Sequence, residues 1–332
     1  MALLWIDGFE GYGPVGTTTT SRIYARGYTY AGGSPNIATG RTYGYCLWCN
    51  ISTGNLVITP TLTTNNTLIA GFAFQVGGGM GLYFYYNGVQ GPNISITSTS
   101  LTTSLGGTVL DTNTSFTLSN PWYYVEMKCV CHQTSGSIEV RLNGTLITSI
   151  TGINTQLGTE TFYNIVRIVG GSSSRLDDFY VCDGSGPILN DFQGVCKIAA
   201  IFPNSDTSTT QWTPSTGTTH YNLMSENPPD GNTTYVSAST QDKTDLYGYP
   251  SLVGSSTILG IQINTQAYIV SGSSVLIESP IVSGEITEIG DDVQLSSGGY
   301  IDIRRISMTD PATGLPWTIE GLAAAKIGMR IM

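Results

Sequence analysis

The sequence has few charged residues and only two histidines. Lys, Arg, Asp and Glu together make up 11% of its 332 residues, and 23 acidic residues against 13 basic ones give a formal net charge of −10. Because nucleic-acid binding depends on clustered Lys and Arg, this balance argues against a DNA or RNA ligand. No apolar run approaches the roughly 20 residues needed to cross a bilayer, so membrane insertion is not expected.

The amino terminus lacks the features of a secretory signal. The apolar start at residues 1–6 is too short for the core of a signal peptide, no basic residue precedes it, and Asp7 follows it. We therefore expect a product made and kept in the cytosol, even where a larger particle later carries it out of the cell.

The abundant residues are those of strands and tight turns. Thr is β-branched, while Ser, Asn and the 41 Gly satisfy turn backbones. In residues 122–150, apolar and polar residues alternate on both sides of Asn143-Gly144. This pair tolerates the positive φ angles of a type I′ hairpin turn. The pattern predicts an all-β protein. In the first part, strands are predicted at 3–12, 44–51, 55–59, 67–76, 81–86, 94–98, 122–131, 137–142, 145–151, 163–169 and 175–182.

Two of these segments carry a family resemblance. A strand that opens on Trp122-Tyr-Tyr-Val, followed by the Asn-Gly hairpin, and the later Asp177-Asp-Phe-Tyr-Val, resemble the concanavalin A-like, laminin-G-like jelly-roll family. The resemblance implies that the closing strand lies beside the opening one, with Trp5 to Phe9 pairing near Phe179 to Val181. The run Gly184-Ser-Gly-Pro187 then interrupts the pattern. We place the first domain at 1–186 and the second at 187–332.

The second domain is predicted to be a smaller β-sandwich with one short helix. Strands are expected at 190–206, 257–271, 274–278, 285–289, 301–308 and 326–331. Thr318 is a candidate N-cap for a helix over 319–325.

This second part is similar to the carboxyl-terminal part of bacteriophage virion proteins that begin with a laminin-G-like domain. The matching strings are Asn190-Asp-Phe, Thr210-Gln-Trp-Thr-Pro, Pro228-Pro-Asp-Gly-Asn-Thr-Thr-Tyr, and Asp310-Pro-Ala-Thr-Gly followed by Trp317-Thr. These strings contain no recognisable catalytic motif. The resemblance implies a virion component, assembled in the bacterial cytoplasm with other virion proteins, and three-fold symmetry is that family's habit for fibres.

Candidate catalytic groups are few. A jelly-roll glucanase needs two carboxylates on one strand face, and Asp177 with Asp178, like Asp7 with Glu10, are of opposite parity in an extended strand. His132 and His220 lie in no recognisable nucleophile setting. The expectation is a protein that is not an enzyme and has no catalytic residues.

Two metals, zinc and calcium, have candidate ligands in the sequence. Cys46, Cys49, Cys129 and Cys131, with His132, are candidate zinc ligands. In extended strands, however, Cys129 and Cys131 face the same way while Cys46 and Cys49 face opposite ways, which favours ordinary core thiols and no zinc. Calcium is implied by the laminin-G resemblance. Its conceivable ligands are Asp177, Asp178 and Asp183, with Asp230 and Asn232 a weaker pair, and turn-forming roles explain both sets without metal.

The aromatic residues Tyr83, Phe84, Tyr85 and Tyr86 alternate along one predicted strand. Tyr83 with Tyr85, or Phe84 with Tyr86, must leave the core if one sheet face is buried, and the outer pair then contacts either a glycan or a neighbouring subunit.

Together these observations give a leading hypothesis and an alternative. The leading hypothesis is a non-enzymatic bacteriophage structural protein, a fibre, decoration or tail-tip component, that contacts copies of itself and binds host glycan. The alternative is a free carbohydrate-binding protein or glycoside hydrolase of the same fold.

Overall fold

The computed structural model describes residues 2–16, 20–29, 35–42, 44–49, 53–119, 121–254, 257–270, 272, 274–296 and 299–332. The chain forms two compact units, Met1–Ala199 and Ala200–Met332.

The first unit contains two antiparallel sheets. Its strands are β1 (Leu3–Asp7), β2 (Asn36–Thr39), β3 (Tyr45–Trp48), β4 (Thr53–Ile58), β5 (Thr67–Gln75), β6 (Met80–Tyr86), β7 (Val89–Ile96), β8 (Leu101–Leu105), β9 (Thr108–Asn113), β10 (Tyr123–Val130), β11 (Gly136–Leu142), β12 (Thr145–Ile153), β13 (Ile165–Gly171) and β14 (Arg175–Asp183). One sheet has the order β12-β11-β10-β5-β14-β3-β2, with β1 also paired to β14, and the other has the order β4-β13-β6-β7-β8-β9.

The two sheets pack face to face around one apolar core. Phe72 and Phe74 of β5 and Val125 of β10 meet Leu82 and Phe84 of β6 in a single cluster of fully buried side chains. This is the packing of a β-sandwich. The predicted all-β, jelly-roll class of this part is confirmed.

The predicted hairpin is present. Asn143 and Gly144 have φ angles of 49° and 78°, and they join β11 to β12. Asn87 and Gly88, with φ angles of 47° and 79°, make the same kind of turn between β6 and β7. Positive φ at both central positions is what a type I′ turn requires.

The predicted pairing of the first and last strands is also present. Trp5 lies opposite Val181, Ile6 opposite Tyr180 and Asp7 opposite Phe179. Phe9 lies beyond the end of β1 and has a left-handed φ of 62°, and a 3₁₀ turn over Glu10–Tyr12 follows it. The predicted strand 3–12 is therefore wrong after residue 7.

Several elements were missed because their sequences carry no clear period. Strands β8 and β9, rich in Thr, were missed, as were β2 and the short helix α1 (Thr20–Ala25). The predicted strand 44–51 is observed as β3, and its residues 50 and 51 lie outside the described part of the chain.

Residues 190–206 do not form the predicted strand, since the first strand of this region, β15, begins at Ser205. The backbone N–H groups of Gln193, Gly194 and Ile198 instead donate to carboxylates of the first unit. The first unit consequently ends after Ala199, whereas the sequence placed the domain boundary after Gly186.

The second unit is built on a larger sheet and two ribbons. Its elements are β15 (Ser205–Thr210), β16 (Thr213–Pro214), α2 (Tyr221–Met224), β17 (Val236–Ser237), β18 (Thr244–Gly248), β19 (Ile261–Ala267), β20 (Ser274–Glu278), β21 (Ile281–Ser283), β22 (Ile286–Glu288), β23 (Val293–Ser296), β24 (Ile301–Ser307), α3 (Ile319–Ala324) and β25 (Lys326–Ile331). The sheet order is β15-β18-β25-β20-β23, with β21 paired to β22 and β25, while β16 pairs with β17 and β19 with β24.

The core of the second unit joins the sheet to the β19–β24 ribbon and to α3. Met329 of β25 and Ile303 of β24 share one buried cluster, and Ile327 shares another with Leu322 of α3. The smaller β-sandwich is confirmed. The predicted helix is present and is capped as expected, since Thr318 Oγ1 accepts from Gly321 N at 2.9 Å. The unit also contains the short helix α2, which was not predicted.

A buried Asp–His pair attaches the irregular stretch of the second unit to its sheet. Asp245 is fully buried, and its carboxylate lies 2.6 Å from His220 Nδ1 and accepts from Trp212 N and Tyr247 OH. These contacts give His220 a structural role.

Among the described residues, no helix combines the length and the apolar character needed to span a membrane.

Candidate functional site

The strand β6 presents two tyrosines on the outer face of the six-stranded sheet. Leu82 and Phe84 are fully buried in the core, so the alternation of a strand places Tyr83 and Tyr85 on the opposite face, where both are half-buried. Tyr86 packs edge-on against Phe162, with ring centroids 5.1 Å apart. The structure thus selects the first of the two pairs that the sequence left open.

Neighbouring strands surround these tyrosines with polar groups. Tyr83 lies opposite Arg167 of β13 on one side and Asn93 of β7 on the other, and Tyr85 lies opposite Gln90. The two tyrosine rings are 6.4 Å apart between centroids, at an interplanar angle of 37°. We call Tyr83, Tyr85, Gln90, Asn93 and Arg167 the tyrosine platform.

A chain of hydrogen bonds fixes the platform. Arg167 Nη1 donates to Tyr85 OH at 3.2 Å, Tyr85 OH donates to Gln90 Oε1 at 3.0 Å, and Gln90 Nε2 donates to Asn93 Oδ1 at 3.2 Å. The guanidinium carbon of Arg167 also lies 5.8 Å from the centre of the Tyr83 ring, within cation–π range. Side chains held in this way lose little rotamer freedom when a ligand binds.

Gly81 makes room for the Tyr83 ring. A Cβ at this position would lie 2.6 Å from Tyr83 Cε2, so only glycine lets the ring lie over the strand. Burial raises the pKa of Tyr83, and the nearby Arg167 opposes that rise. The Tyr83 hydroxyl therefore stays protonated and able to donate.

The predicted calcium ligands do not form one group. Asp183 makes a local turn, in which its Oδ1 accepts from Ser185 N at 3.0 Å. Asp177 and Asp178 do lie together, and both approach Arg41: its backbone N donates to Asp177 at 2.7 Å and its Nη1 to Asp178 at 2.9 Å.

The expectation that Asp177 and Asp178 point to opposite faces is wrong. Asp178 has a left-handed φ of 49°, and the pairing of β14 with β5 shifts register between Asp177 and Tyr180. Such a bulge breaks the two-residue period of a strand, which is why both carboxylates reach Arg41.

The alternation of an extended strand also does not hold for Asp7 and Glu10. The 3₁₀ turn after β1 carries Glu10 back toward β14. Burial, reinforced by the charges of Asp177 and Asp7, raises the pKa of Glu10 to about 9. Burial and the charge of Asp178 likewise raise the pKa of Asp177 to about 8. Asp7 is held by two phenols, accepting from Tyr12 OH at 2.7 Å and Tyr28 OH at 3.1 Å.

A backbone segment covers this side of the eight-stranded sheet. We call residues 191–198 the strap. Arg41 Nη1 donates to Cys196 O at 2.8 Å, and Ile198 N donates to Asp178 Oδ1 at 2.7 Å. The Phe192 ring stacks on the guanidinium of Arg141, with 4.2 Å between the guanidinium carbon and the ring centre.

Glu126 of β10 holds the middle of the strap. It is fully buried, and its Oε1 accepts from Tyr180 OH at 2.5 Å, Gln193 N at 2.9 Å and Gly194 N at 2.8 Å. Within the part of the chain that the structure describes, its Oε2 has no hydrogen-bond partner. The carboxyl groups on this side of the sheet therefore bind backbone N–H groups, phenols and the Arg41 guanidinium of the protein itself.

The cysteines occupy the places that strand parity predicts. Cys129 and Cys131 both lie in the core cluster, as does Cys49, whereas the thiol of Cys46 donates to Thr39 O outside it. All six cysteines are free thiols. Within the described ranges, no three His, Cys, Asp or Glu side chains form a group that could hold a metal ion, and calcium binding stays a prediction.

Sequence reasoning found the tyrosines but missed their partners. Val166 and Ile168 are fully buried, so the alternation along β13 is enough to place Arg167 outside. The missing information was the register that brings Arg167, Gln90 and Asn93 beside the tyrosines.

Comparison with known proteins gives no family. No protein-family model matches the chain, and no curated protein matches it significantly. Among solved structures, it is similar to a sialidase (10% identity, TM-score 0.40, covering 54% of this chain and 18% of the sialidase). It is also similar to a GH131 β-glucanase catalytic domain from Podospora anserina (9%, 0.38, 56% and 97%) and to carbohydrate-binding module CBM66 from Bacillus subtilis (10%, 0.33, 48% and 97%). Similarity at this level supports no assignment of activity.

Proposed function

We propose that the protein is a non-enzymatic, glycan-binding component of a bacteriophage particle, and that the tyrosine platform is its sugar-binding face. The observation that supports glycan binding is the platform itself, in which two adjacent, half-buried rings are held by a fixed set of polar side chains. The apolar C–H face of a sugar stacks on such rings, while amide, phenol and guanidinium groups bond to its hydroxyls.

The distribution of charged residues in the platform's sheet favours sugar binding without cleavage. The six strands of the platform's sheet contain two charged residues, Arg167 and Asp111. Asp111 accepts from Thr148 Oγ1 of the opposite sheet at 2.7 Å, so its carboxylate points between the sheets. Glycoside hydrolysis ordinarily needs a pair of carboxyl groups flanking the scissile bond, and these strands supply none to the outer face.

The virion setting rests on the sequence strings of the second part and on the low charge of the chain. A surface with few charged residues has a low free-energy cost of desolvation when it packs against an identical subunit. This composition suits a homo-oligomer. Locating the protein by electron microscopy of intact particles tests this setting, and a strictly monomeric protein that fails to join particles would contradict it.

Glycan binding is tested with a glycan array followed by calorimetry on the best ligand. We expect Tyr83→Ala and Tyr85→Ala each to weaken binding roughly tenfold, as loss of a stacking ring does in comparable sites. Gly81→Ala should also weaken binding, because it displaces the Tyr83 ring without removing any platform side chain. The matched control is Tyr268→Ala, which removes an exposed tyrosine of the second unit and should leave affinity unchanged.

Two outcomes would overturn the proposed site. One is a wild-type protein that binds no glycan while light scattering shows that the platform variants dissociate an oligomer, since a second copy would then cover this face. The other is unchanged affinity in both tyrosine variants. Release of reducing sugar would overturn the non-enzymatic part alone.

A further inference from the structure

The two Asn-Gly turns of the first unit differ in how their asparagine side chains are held. We propose that Asn87-Gly88 is a site of spontaneous covalent modification, at which Asn87 loses its side-chain amide and the main chain of the β6–β7 turn rearranges to isoaspartate, while Asn143-Gly144 is protected. Because this turn borders the tyrosine platform, the rearrangement weakens glycan binding, and this consequence rests on the proposed function.

The reaction consumes only water and needs no enzyme. The backbone nitrogen of Gly88 attacks the side-chain amide carbon of Asn87, the carbon–nitrogen bond of that amide breaks, and ammonia leaves with the proton that the Gly88 N–H gives up. Water then opens the five-membered imide at one of its two carbonyl carbons. One opening leaves an ordinary aspartate, and the other routes the main chain through the side chain and leaves isoaspartate.

Both Asn-Gly pairs have the neighbour and the exposure that this reaction requires. The sequence contains two such pairs, and glycine has no side chain to obstruct attack by its own backbone nitrogen. All four residues are exposed, so water reaches the imide. The left-handed turn conformation, with φ of 47° at Asn87 and 49° at Asn143, holds the following nitrogen away from the amide carbon. A turn must therefore open locally before the attack.

Hydrogen bonds to a third strand hold Asn143 in place. Its Oδ1 accepts from Tyr124 N at 2.8 Å, and its own N donates to Tyr124 O at 2.7 Å. Both bonds join the β11–β12 turn to β10, so this turn cannot open without losing them.

Asn87 has no such attachment. In the described part of the chain its side chain makes no hydrogen bond, and the residues that close the turn are the paired Tyr86 and Val89. Each hydrogen bond that opening must break makes the open state rarer. We therefore expect the β6–β7 turn to open more often than the β11–β12 turn, and Asn87 to react faster than Asn143.

The turn lies one residue pair away from the tyrosine platform. Tyr85 lies opposite Gln90, directly beyond the pair that closes the turn, and Tyr85 OH donates to Gln90 Oε1 at 3.0 Å. Isoaspartate adds one carbon to the main chain at the first central position, and a two-residue type I′ turn has no place for the extra length. The register that brings Gln90 beside Tyr85 is then lost. Ordinary aspartate tolerates positive φ and keeps the turn.

The modification is tested by incubating the full-length protein in mildly alkaline buffer and following both Asn-Gly peptides by mass spectrometry, with fragmentation that distinguishes isoaspartate from aspartate. Asn143 is the matched control within the same chain. We expect Asn87 to be modified roughly tenfold faster than Asn143 in the folded protein, as the loss of about one hydrogen bond's protection implies. In urea, where neither turn exists, the two rates should be nearly equal. Equal rates in the folded protein, or a faster reaction at Asn143, would overturn the proposed site.

The effect on binding is tested separately, with the isoaspartate form isolated from aged protein by ion exchange. This form should bind the best glycan of the array roughly tenfold more weakly than fresh protein, whereas freshly prepared Asn87→Asp, the model of the ordinary product, should bind as the wild type does. Equal binding by the isoaspartate form would overturn the effect on the platform and leave the modification standing. A fresh wild type that binds no glycan would overturn the proposed function and this effect with it, while the two modification rates still decide the site. Circular dichroism checks that each form is folded.

Discussion

Replacing Glu10 by glutamine should remove a large part of the pH dependence of the first unit's stability. Glu10 packs against Gly44, whose added Cβ would lie 2.5 Å from Glu10 Cγ, and burial raises the pKa of its carboxyl from 4.5 to about 9. The folded protein therefore holds a proton on Glu10 that the unfolded chain releases. Glutamine has the same shape and stays neutral at every pH.

The direction of the effect follows from this difference in proton binding. Between the unfolded pKa of 4.5 and the folded pKa of about 9, the folded state binds more protons, so the free energy of unfolding falls as the pH rises. The limiting slope is about 1.4 kcal/mol per pH unit. Because Glu10 keeps some solvent exposure, we discount this limit and expect the wild type to lose about 2 kcal/mol relative to Glu10→Gln between about pH 5 and about pH 8.

The cysteines provide an assay for the first unit alone, because all six lie in Met1–Ala199. Wild type and Glu10→Gln are equilibrated in a urea series at each pH and then labelled with a thiol reagent in a brief pulse at one fixed pH. Near pH 5 both folded proteins have a neutral side chain at this position and the difference in stability should be the smallest of the range, which serves as the internal control. A stability difference that stays constant up to pH 8, or a wild type that gains stability over this range, would refute the reasoning.

Three further predictions concern the strap, the thiols and the helix cap. Glu126→Ala leaves the N–H groups of Gln193 and Gly194 and the Tyr180 hydroxyl without their acceptor. This substitution should therefore lower the free energy of unfolding of the first unit by about 3 kcal/mol. It should also speed alkylation of Cys196. Glu126→Gln keeps an acceptor oxygen and should lose under half as much in the same urea series, so equal losses would contradict this account. Burial raises the pKa of Cys46 to about 12 and of Cys131 to about 11, so native protein near pH 8 should resist iodoacetamide in a mass-spectrometric time course, and rapid modification of either thiol would show that it is not buried. Thr318→Ala should lower the stability of the second unit by about 1 kcal/mol, measured by hydrogen exchange over α3, whereas Thr318→Ser should preserve the cap.

The sequence was most informative where local chemistry alone determines structure. The hairpin at Asn143-Gly144 follows from two residues that tolerate positive φ, and the cap at Thr318 follows from one hydroxyl and one backbone N–H. The pairing of Trp5 with Val181 was accessible through the family resemblance. The predicted strand 257–271 was placed correctly but is shorter as observed, at Ile261–Ala267, and its residue 271 lies outside the described ranges.

The sequence was least informative where a strand departs from its two-residue period. The left-handed residue Asp178 and the 3₁₀ turn at Glu10 bring together carboxylates that simple alternation separates. The strap was predicted to be a strand because its apolar residues resemble one, yet its N–H groups bind the buried carboxylates of Glu126, more than 60 residues away, and of Asp178, 20 residues away. The partners of the tyrosines were likewise set by register between distant strands. Such long-range contacts leave no mark on any short window of sequence.

The place of β14 within its sheet has a consequence for synthesis of the chain. β14 pairs with β5 along one edge and with β1 and β3 along the other, although it is the last strand of its unit to leave the ribosome. Until residues 175–183 have emerged, the earlier strands have no neighbour at the centre of the layer, and their open edges are available to other chains. A stalled or truncated product that stops short of β14 is therefore a candidate for aggregation, and the unit is expected to complete its folding late in translation.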